Sequence, residues 1–215
     1  MKRHNIKIIT IIFIIVMIFS SCAVKPKFIR EDYQKLKPSK VAVLPVINQT
    51  ADVEGGKVFR NLVHTQLAKK GYPFSILKKK EMEEKLNEEG ITDGGQLKVV
   101  EKNELCNILG TDGLLFIQLL ECDYSSYGIA STKKIKAHFG LFKGEVLIWE
   151  DVKRINDGKS VLTGVLQVAN GNTDELVEDF AKQVAVKAAS GWMMDHELKP
   201  QMIKVINRSF RTLPK

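Results

Sequence analysis

The run Gly113-Leu114-Leu115-Phe116-Ile117-Gln118-Leu119-Leu120 is almost continuously apolar, with Gln118 as its one polar interruption. A strand that is apolar on both of its faces is typical of the centre of a parallel sheet covered by helices. The length of 215 residues and the content of 44% hydrophobic and 27% charged residues suit a globular chain with one sizeable core. We therefore predict a central strand in an α/β domain.

The sequence upstream of this run alternates between short strand patterns and amphipathic helix patterns. The apolar segment Val41–Val46 predicts a buried strand, and Gly71 and Pro73 predict the end of the helix that follows it. The predicted order is strand, helix, strand, helix, helix, strand, which is typical of an α/β layer. The elements after the first strand are expected at residues 56–70, 74–77, 79–89, 97–109 and 113–120.

Downstream of the apolar run at 113–120, apolar side chains recur at every second residue. Residues 134–141 alternate between polar and apolar side chains, which indicates a half-exposed antiparallel strand. Lys143-Gly144 predicts a hairpin into residues 146–149, and Asn156-Asp157-Gly158 predicts a turn into a strand over 160–168. A helix is expected over 173–190. The predicted fold is one α/β domain over residues 40–198, with a mixed sheet that is parallel in its first half and antiparallel in its second, flanked by helices.

The first 22 residues have the three zones of a secretory signal. Lys2, Arg3 and Lys7 precede an apolar run over 8–19, and Ser20-Ser21 leads to Cys22. Twelve helical residues span only about 18 Å, which is short for a bilayer core of about 30 Å. We predict a signal peptide over residues 1–21. The alternative is a short signal anchor that is not cut.

Cys22 follows small residues in an arrangement that resembles the bacterial lipobox, in which the cysteine is acylated and becomes the new N-terminus. The resemblance implies attachment to membrane lipid through Cys22. Phe19 departs from the leucine that is usual at the first position of this motif. Ala23 is not the aspartate that resembles an inner-membrane retention signal, so we expect the periplasmic face of the outer membrane, with the inner membrane as the alternative.

The segment 22–39 is polar and basic, and we interpret it as a solvated linker between the anchor and the domain. Its lysines offer an alternative, which is attraction to anionic headgroups. The last residues, 199–215, are predicted as a basic tail that holds a short helix over 202–206 and has a mobile basic end. The chain has a formal net charge of +8, but no basic stripe is interleaved with aromatic residues, so we predict no nucleic-acid partner.

The sequence predicts no catalytic centre, metal site or cofactor. Cys106 and Cys122 both lie in apolar contexts and are interpreted as free, buried thiols, with a disulfide as the alternative. His64, interpreted as a surface or rim histidine, His138 and His196 are far apart and have no metal-ligand spacing. If the protein were an enzyme, the best candidate groups would be Cys106, Cys122 and His138.

Five residues are candidates for contact with a partner. Tyr124, Tyr127 and Phe142 are aromatic residues near loop ends, where interface anchors are common, although a core position is the alternative. Asn48 and Thr50 belong to a polar loop after the first strand. There we favour a turn in which their side chains bond nearby backbone groups.

The order and spacing of several short motifs resemble the GNA-type bacterial lipoproteins, a family of unknown function. The resemblance covers the lipobox and residues 40–151, and it departs from the family at an extra apolar residue before Trp149 and at Asp151, where the family usually has glycine. The motifs are Val41–Thr50, Gly71-Tyr72, Glu89-Gly90-Ile91, Gly110–Gly113, Tyr124–Tyr127, Gly144-Glu145 and Trp149-Glu150.

The resemblance implies a fold similar to the N-terminal domain of TolB and to the periplasmic part of CsgG-type lipoproteins. It implies an accessory role in an envelope or secretion assembly beside a CsgG-like partner, without a reaction, and it leaves a homo-oligomer open. An alternative is an LpoB-like activator of a cell-wall synthase. A linker of about 17 residues reaches some 60 Å at most, which is short for that role.

Overall fold

The computed structural model describes residues 25–127, 130–160 and 194–215. Within them, seven strands form one sheet in the order β1-β7-β6-β5-β2-β4, and β3 also pairs with β5. The strands are β1 (Phe28–Ile29), β2 (Lys40–Val43), β3 (Ile47–Asn48), β4 (Ser75–Ile76), β5 (Gly113–Tyr127), β6 (Ala130–Lys143) and β7 (Val146–Ser160). The α-helices are α1 (Tyr33–Leu36), α2 (Gly55–Lys70), α3 (Lys79–Glu88), α4 (Lys102–Leu109) and α5 (Met194–Phe210).

The first half of the sheet is parallel, as predicted. β2 runs parallel to β4 on one side and to β5 on the other, and β3 is parallel to β5. α2 connects β3 to β4 and ends at Gly71, which has the left-handed φ of 58° that favours glycine at a helix C-terminus. The predicted helix over 97–109 is divided. A 3-10 turn over Gln96–Lys98 precedes α4, whose N-cap Glu101 has extended backbone.

The second half is an antiparallel ribbon of three long strands, β5 to β7. Gly144 has a φ of 54° in the turn between β6 and β7, which confirms the predicted hairpin. The pairing shifts between Leu141, opposite Trp149, and Phe142, opposite Leu147. Ile148 is therefore the extra residue of a β-bulge, which explains the additional apolar residue before Trp149. The predicted turn at residues 156–158 is wrong, because β7 continues through it in register with β6.

The sheet separates two apolar clusters. β2 alternates between them, since Val41 and Val43 face the larger cluster and Ala42 and Leu44 face the smaller. The larger cluster packs α2 and α5 against β5, β6 and β7. The smaller cluster packs α3, the 3-10 turn and α4 against β2 and β5. The domain thus has three layers, which confirms the predicted α/β class with a mixed sheet and flanking helices.

The segment predicted as a linker is in large part folded onto the domain. β1 pairs with β7 at Glu150 and Trp149, and α1 buries Tyr33 to 2% exposure. The Tyr33 hydroxyl donates a hydrogen bond to the carbonyl of Pro214 at 3.0 Å. The prediction of a free segment up to residue 39 is therefore wrong for residues 28–36, where tertiary contacts order a polar sequence.

The residues predicted as a basic tail with a mobile end instead contribute to the core. α5 runs to Phe210, well beyond the short helix expected over 202–206, and it packs beside α2 and on β6 and β7. Its stripe of buried apolar residues continues to Leu213. The basic residues that suggested mobility lie on the other side of this stripe. The buried residues of this segment are Leu198, Met202, Val205, Ile206, Phe210 and Leu213.

A buried carboxylate fastens the end of α5 to the sheet. Asp151 on β7 is 1% exposed and accepts hydrogen bonds from the Ser209 hydroxyl at 2.9 Å and the Thr212 hydroxyl at 3.3 Å. Lys153 lies 2.6 Å from the same carboxylate, so the buried charge is paired. Asp151, at the position where the family usually has glycine, therefore makes a structural contact within an unbroken strand.

Several predictions fall outside the described residues. These are the signal peptide over 1–21, Cys22, the helix over 173–190 and the strand over 160–168 except for its first residue. In the described part of the chain, no helix has both the length and the apolar character that crossing a membrane requires.

We predict that Asp151→Ala lowers the free energy of unfolding by about 3–5 kcal/mol, since it leaves the Lys153 ammonium without its carboxylate partner and the buried Ser209 hydroxyl without its acceptor. Urea unfolding followed by circular dichroism measures the change. Asp123→Ala is the control, because Asp123 is exposed on the same sheet. Equal midpoints for the two variants would contradict the structural role of Asp151.

We also predict that Gly94→Ala destabilises the protein by about 1–3 kcal/mol, as expected for overpacking. A Cβ at residue 94 would lie 2.5 Å from the carbonyl oxygen of Val46, whereas a Cβ at Gly95 would meet only the Asp93 side chain, at 2.9 Å. Gly95→Ala is thus a matched control that we expect to be nearly neutral. Thermal unfolding of both variants tests the prediction, and a larger loss for Gly95→Ala would contradict it.

Candidate functional site

A groove with a volume of about 240 Å³ lies on the face of the sheet opposite α2 and α5. We call it the sheet groove. Phe116 and Phe142 form an edge-to-face pair on its floor, with ring centroids 5.4 Å apart. Leu97 and Val100 contribute the opposite wall. The groove therefore offers aromatic surface beside a polar end, a combination that suits recognition of a ligand or partner.

The polar end of the sheet groove is a chain of three side chains. Glu150 accepts a hydrogen bond from the Lys27 ammonium at 2.7 Å, and His138 Nε2 lies 2.7 Å from the same oxygen. Burial alone would raise the pKa of Glu150, but these two hydrogen bonds outweigh it and hold the pKa below its usual value. Glu150 is thus an ionised carboxylate that joins the N-terminal segment to β6 and β7.

A second opening, which we call the helix cleft, lies where β2 ends, between the start of α2, α3 and the loop over 91–94. Its volume is about 450 Å³. In open α/β sheets, ligands bind in crevices outside the carboxyl ends of parallel strands, and the helix cleft has this position. Asn48, Arg60 and Glu83 are among the polar residues that line it.

The charged groups of the helix cleft are occupied within the fold. The buried Arg60 guanidinium donates to the Val43 carbonyl at 3.3 Å and to Glu83 at 2.9 Å. Desolvation lowers the pKa of Arg60, and Glu83 opposes that change. Arg60 therefore links α2 to β2 and α3, and its role here is structural.

His64 lies one turn after Arg60 on α2. It is half-buried rather than at the surface, and its Nε2 atom is shielded from solvent without a hydrogen-bond partner. Burial, together with the cations Arg60 and Lys79, lowers the pKa of His64 to about 4. The imidazole is neutral at physiological pH. No group of histidine, cysteine and carboxylate residues that could hold a metal occurs in the described ranges.

Both described cysteines are free and buried, as the sequence indicated. Cys106 belongs to the smaller cluster and Cys122 to the larger, so they lie on opposite sides of the sheet. Burial raises the pKa of both thiols, that of Cys122 to about 12 with a further contribution from Asp52. His138 lines the sheet groove. The structure therefore does not bring Cys106, Cys122 and His138 together as one site.

Asn48 and Thr50 form the predicted turn. The Asn48 side-chain oxygen accepts from the backbone N–H of Thr50 at 3.1 Å and from its hydroxyl at 2.8 Å. The Asn48 amide donates to the Asp52 carbonyl at 2.7 Å. These bonds shape the loop that leads into α2. A role of either residue in partner binding stays a prediction.

The three aromatic candidates lie at two separate places. Phe142 is half-buried in the sheet groove, with the Lys102 ammonium 5.0 Å from its ring centroid. Tyr124 is half-buried further along β5, and the Lys133 ammonium lies 5.5 Å from its ring centroid. Tyr127 ends β5 opposite Ala130. Of the five candidates, Phe142 and Asn48 thus line cavities, and the structure does not unite them in one surface.

The sequence did not predict the attachment of the N-terminal segment to β7. The Lys153 ammonium donates to the backbone carbonyl of Lys25 at 3.3 Å, and Lys27 contacts Glu150. The chain is therefore held against β7 from its first described residue. The one available signal was the adjacent pair Phe28-Ile29 in an otherwise polar segment, which is too short to predict a strand.

A search for relatives found a curated protein of Neisseria meningitidis serogroup B, "Putative lipoprotein NMB1124/NMB1162". It is 26% identical over 176 residues, which are 74% of this chain and 80% of that protein. The crystal structure of lipoprotein GNA1162 from Neisseria meningitidis matches with a TM-score of 0.52 and 22% identity, over 71% of this chain and all of the other. A PelC dodecamer from Paraburkholderia phytofirmans matches with a TM-score of 0.47 and 13% identity, over 81% of this chain and 88% of that one.

The family comparison covers most of the domain. The model of the family described as "Putative lipoprotein GNA1162-like" matches residues 30–200. This range includes the parallel half of the sheet, the antiparallel ribbon and the first part of α5. The chain therefore belongs to the GNA1162-like lipoprotein family.

Proposed function

We propose that the protein is a lipoprotein that is secreted, cut before Cys22 and acylated there. It then acts on the periplasmic face of the outer membrane as a non-catalytic interaction component of an envelope assembly. The family is one of lipoproteins, and the sequence before the domain has the three zones of a signal followed by a lipobox-like cysteine. A CsgG-like protein, which the family resemblance implies, is the first candidate for the partner.

The observation that carries this proposal is the docking of the N-terminal segment. Lys25 is already in contact with Lys153, and it is the third residue after Cys22. Three residues span at most about 11 Å. An acyl anchor at Cys22 would therefore hold the domain against the membrane, where a partner on the same membrane is within reach.

The short tether argues against an LpoB-like activator. Such a role requires a lipidated protein to reach an enzyme in the opposite membrane. The 60 Å reach estimated for a free linker falls to about 11 Å once the Lys25 carbonyl is held by Lys153. An unchanged rate of glycan polymerisation on addition of the protein is the result we expect, and a stimulated rate would restore the alternative.

An interaction role also fits the chemistry of the described residues. The polar groups of the helix cleft are engaged in internal hydrogen bonds, and both buried thiols have raised pKa values, which makes them poor nucleophiles. The sheet groove differs, because Phe142 and Leu147 present half-buried apolar surface there. We place partner contact at this groove.

We predict that Cys22→Ser abolishes acylation and membrane association. Intact mass measurement of the protein from the membrane fraction should show a chain that begins at residue 22 and carries acyl groups. The variant should appear unmodified in the soluble periplasmic fraction. Cys106→Ala, which alters a buried thiol, is the control and should keep the lipid. An unmodified Cys22 in the membrane-bound protein would refute the proposal.

We predict that Leu147→Lys removes most of the envelope protein recovered with the lipidated chain from gentle detergent. The substitution places a charge in the sheet groove, where it opposes burial of an apolar partner surface. Val146→Lys is the matched control, since Val146 is the adjacent residue, is 37% exposed and does not line the groove. Equal recovery with both variants, or no envelope partner at all with an intact fold, would overturn this role.

A further inference from the structure

A cluster of cations lies where α1, the end of α2 and the C-terminal segment meet. We call it the basic pole. Its members are Lys37, Lys70, Arg211 and Lys215, together with Lys35, which lies on α1 two residues before Lys37. The Lys37 ammonium donates to the carbonyl of Lys215 at 2.7 Å, and the Lys70 ammonium donates to the carbonyl of Asn207 at 3.3 Å. These contacts join three segments that are distant in the sequence into one surface.

The charge of the basic pole is poorly compensated. Neither residues 55–78 nor residues 199–215 contain an aspartate or a glutamate. Burial, together with the like charges of Arg211 and Lys215, lowers the pKa of Lys70, as expected where cations face each other. Two acids, Glu31 and Asp32, precede α1, and Asp32 lies 2.6 Å from Arg30 and is engaged there. They are fewer than the five cations of the pole. An external anion would therefore relieve repulsion at this surface.

The basic pole adjoins the strand that leads to Cys22. Only residues 30–32 separate β1 from α1, and the Tyr33 hydroxyl contacts the Pro214 carbonyl beside Lys215. On β1, Ile29 is 37% exposed and lies opposite Trp149, on the face of the sheet that α2 and α5 cover. Phe28, 39% exposed, lies opposite Glu150 and faces the other side. Exposed apolar side chains next to cations are the combination found on protein surfaces that rest at the headgroup level of a bilayer.

From this arrangement we infer that the basic pole and the exposed Ile29 side chain form the surface that lies on the membrane, and that the pole binds the anionic headgroups of phospholipids. This inference rests on the proposed anchor at Cys22, because the length of chain before Lys25 brings this edge of the domain to the bilayer. Lysine and arginine near an anionic membrane each contribute about 1 kcal/mol, so several together would fix the orientation of the domain.

The test uses the mature chain, residues 22–215, with Cys22→Ser, so that headgroup binding is measured without the lipid. Vesicles of phosphatidylcholine with and without phosphatidylglycerol are sedimented, and the bound protein is quantified. We expect binding only to the vesicles that contain phosphatidylglycerol, with release as sodium chloride is raised, since salt screens exposed charges.

The decisive variant is Lys35→Glu with Arg211→Glu, which reverses two exposed charges of the basic pole. A loss of about 1 kcal/mol for each charge corresponds to at least a 25-fold weaker binding for both together. Lys80→Glu with Lys98→Glu is the matched control. It makes the same change in net charge at exposed positions of α3 and the 3-10 turn, across the sheet from α2 and α5. Circular dichroism verifies that both variants are folded.

Three outcomes would overturn the inference. These are no binding to either vesicle, equal binding to both vesicles, and an equal loss of binding in the two double variants. The mass of the mature N-terminus tests the proposed anchor separately. An unmodified Cys22 would remove the anchor while leaving the vesicle result to stand on its own, so the two failures can be told apart.

Discussion

The buried Asp151 carboxylate is the contact on which the arrangement of the chain ends depends. It holds the Ser209 and Thr212 hydroxyls at the end of α5, and the Thr212 hydroxyl in turn accepts a hydrogen bond from the Trp149 indole at 3.2 Å. β1 pairs with the same part of β7. Three consecutive positions on β7, Trp149 to Asp151, thus hold the N-terminal segment and the C-terminal segment on the same strand. The basic pole lies where these two segments meet the end of α2.

Elements with strong local patterns could be predicted from the sequence. The apolar run at 113–120 lies at the centre of the sheet, and α2 ends at Gly71, because burial on two faces and a left-handed C-terminal residue leave clear local signals. The class of fold followed from the order of these elements. The sequence showed an extra apolar residue before Trp149. Only the pairing of β6 with β7 shows that Ile148 is the residue without a partner, and hence the site of the bulge.

The two ends of the domain could not be predicted, since their structure depends on distant residues. β1 has two residues, and its hydrogen bonds come from a strand more than 100 residues later. The residues of α5 and of the segment after it are rich in lysine and arginine, which suggested a mobile end. The apolar side chains of α5 nevertheless pack into the larger cluster. The candidate site was hidden in the same way, because Lys27, His138 and Glu150 are brought together by pairing across β1, β7 and β6.

The residues that carry the family resemblance act mainly within the fold. The Asp112 carboxylate accepts hydrogen bonds from the backbone N–H groups of Ser39 and Lys40 and contacts Lys143, and the Tyr72 hydroxyl donates to the Phe210 carbonyl at 2.5 Å. A Cβ at Gly113 would lie 2.6 Å from Pro38. These contacts fasten the start of β2, which is separated from β1 by three strands, and the end of α5, which packs on β6 and β7. The shared motifs therefore specify how β2, β5 and the hairpin are joined and how the end of α2 is joined to the end of α5, so what the family has in common here is a way of holding the domain together.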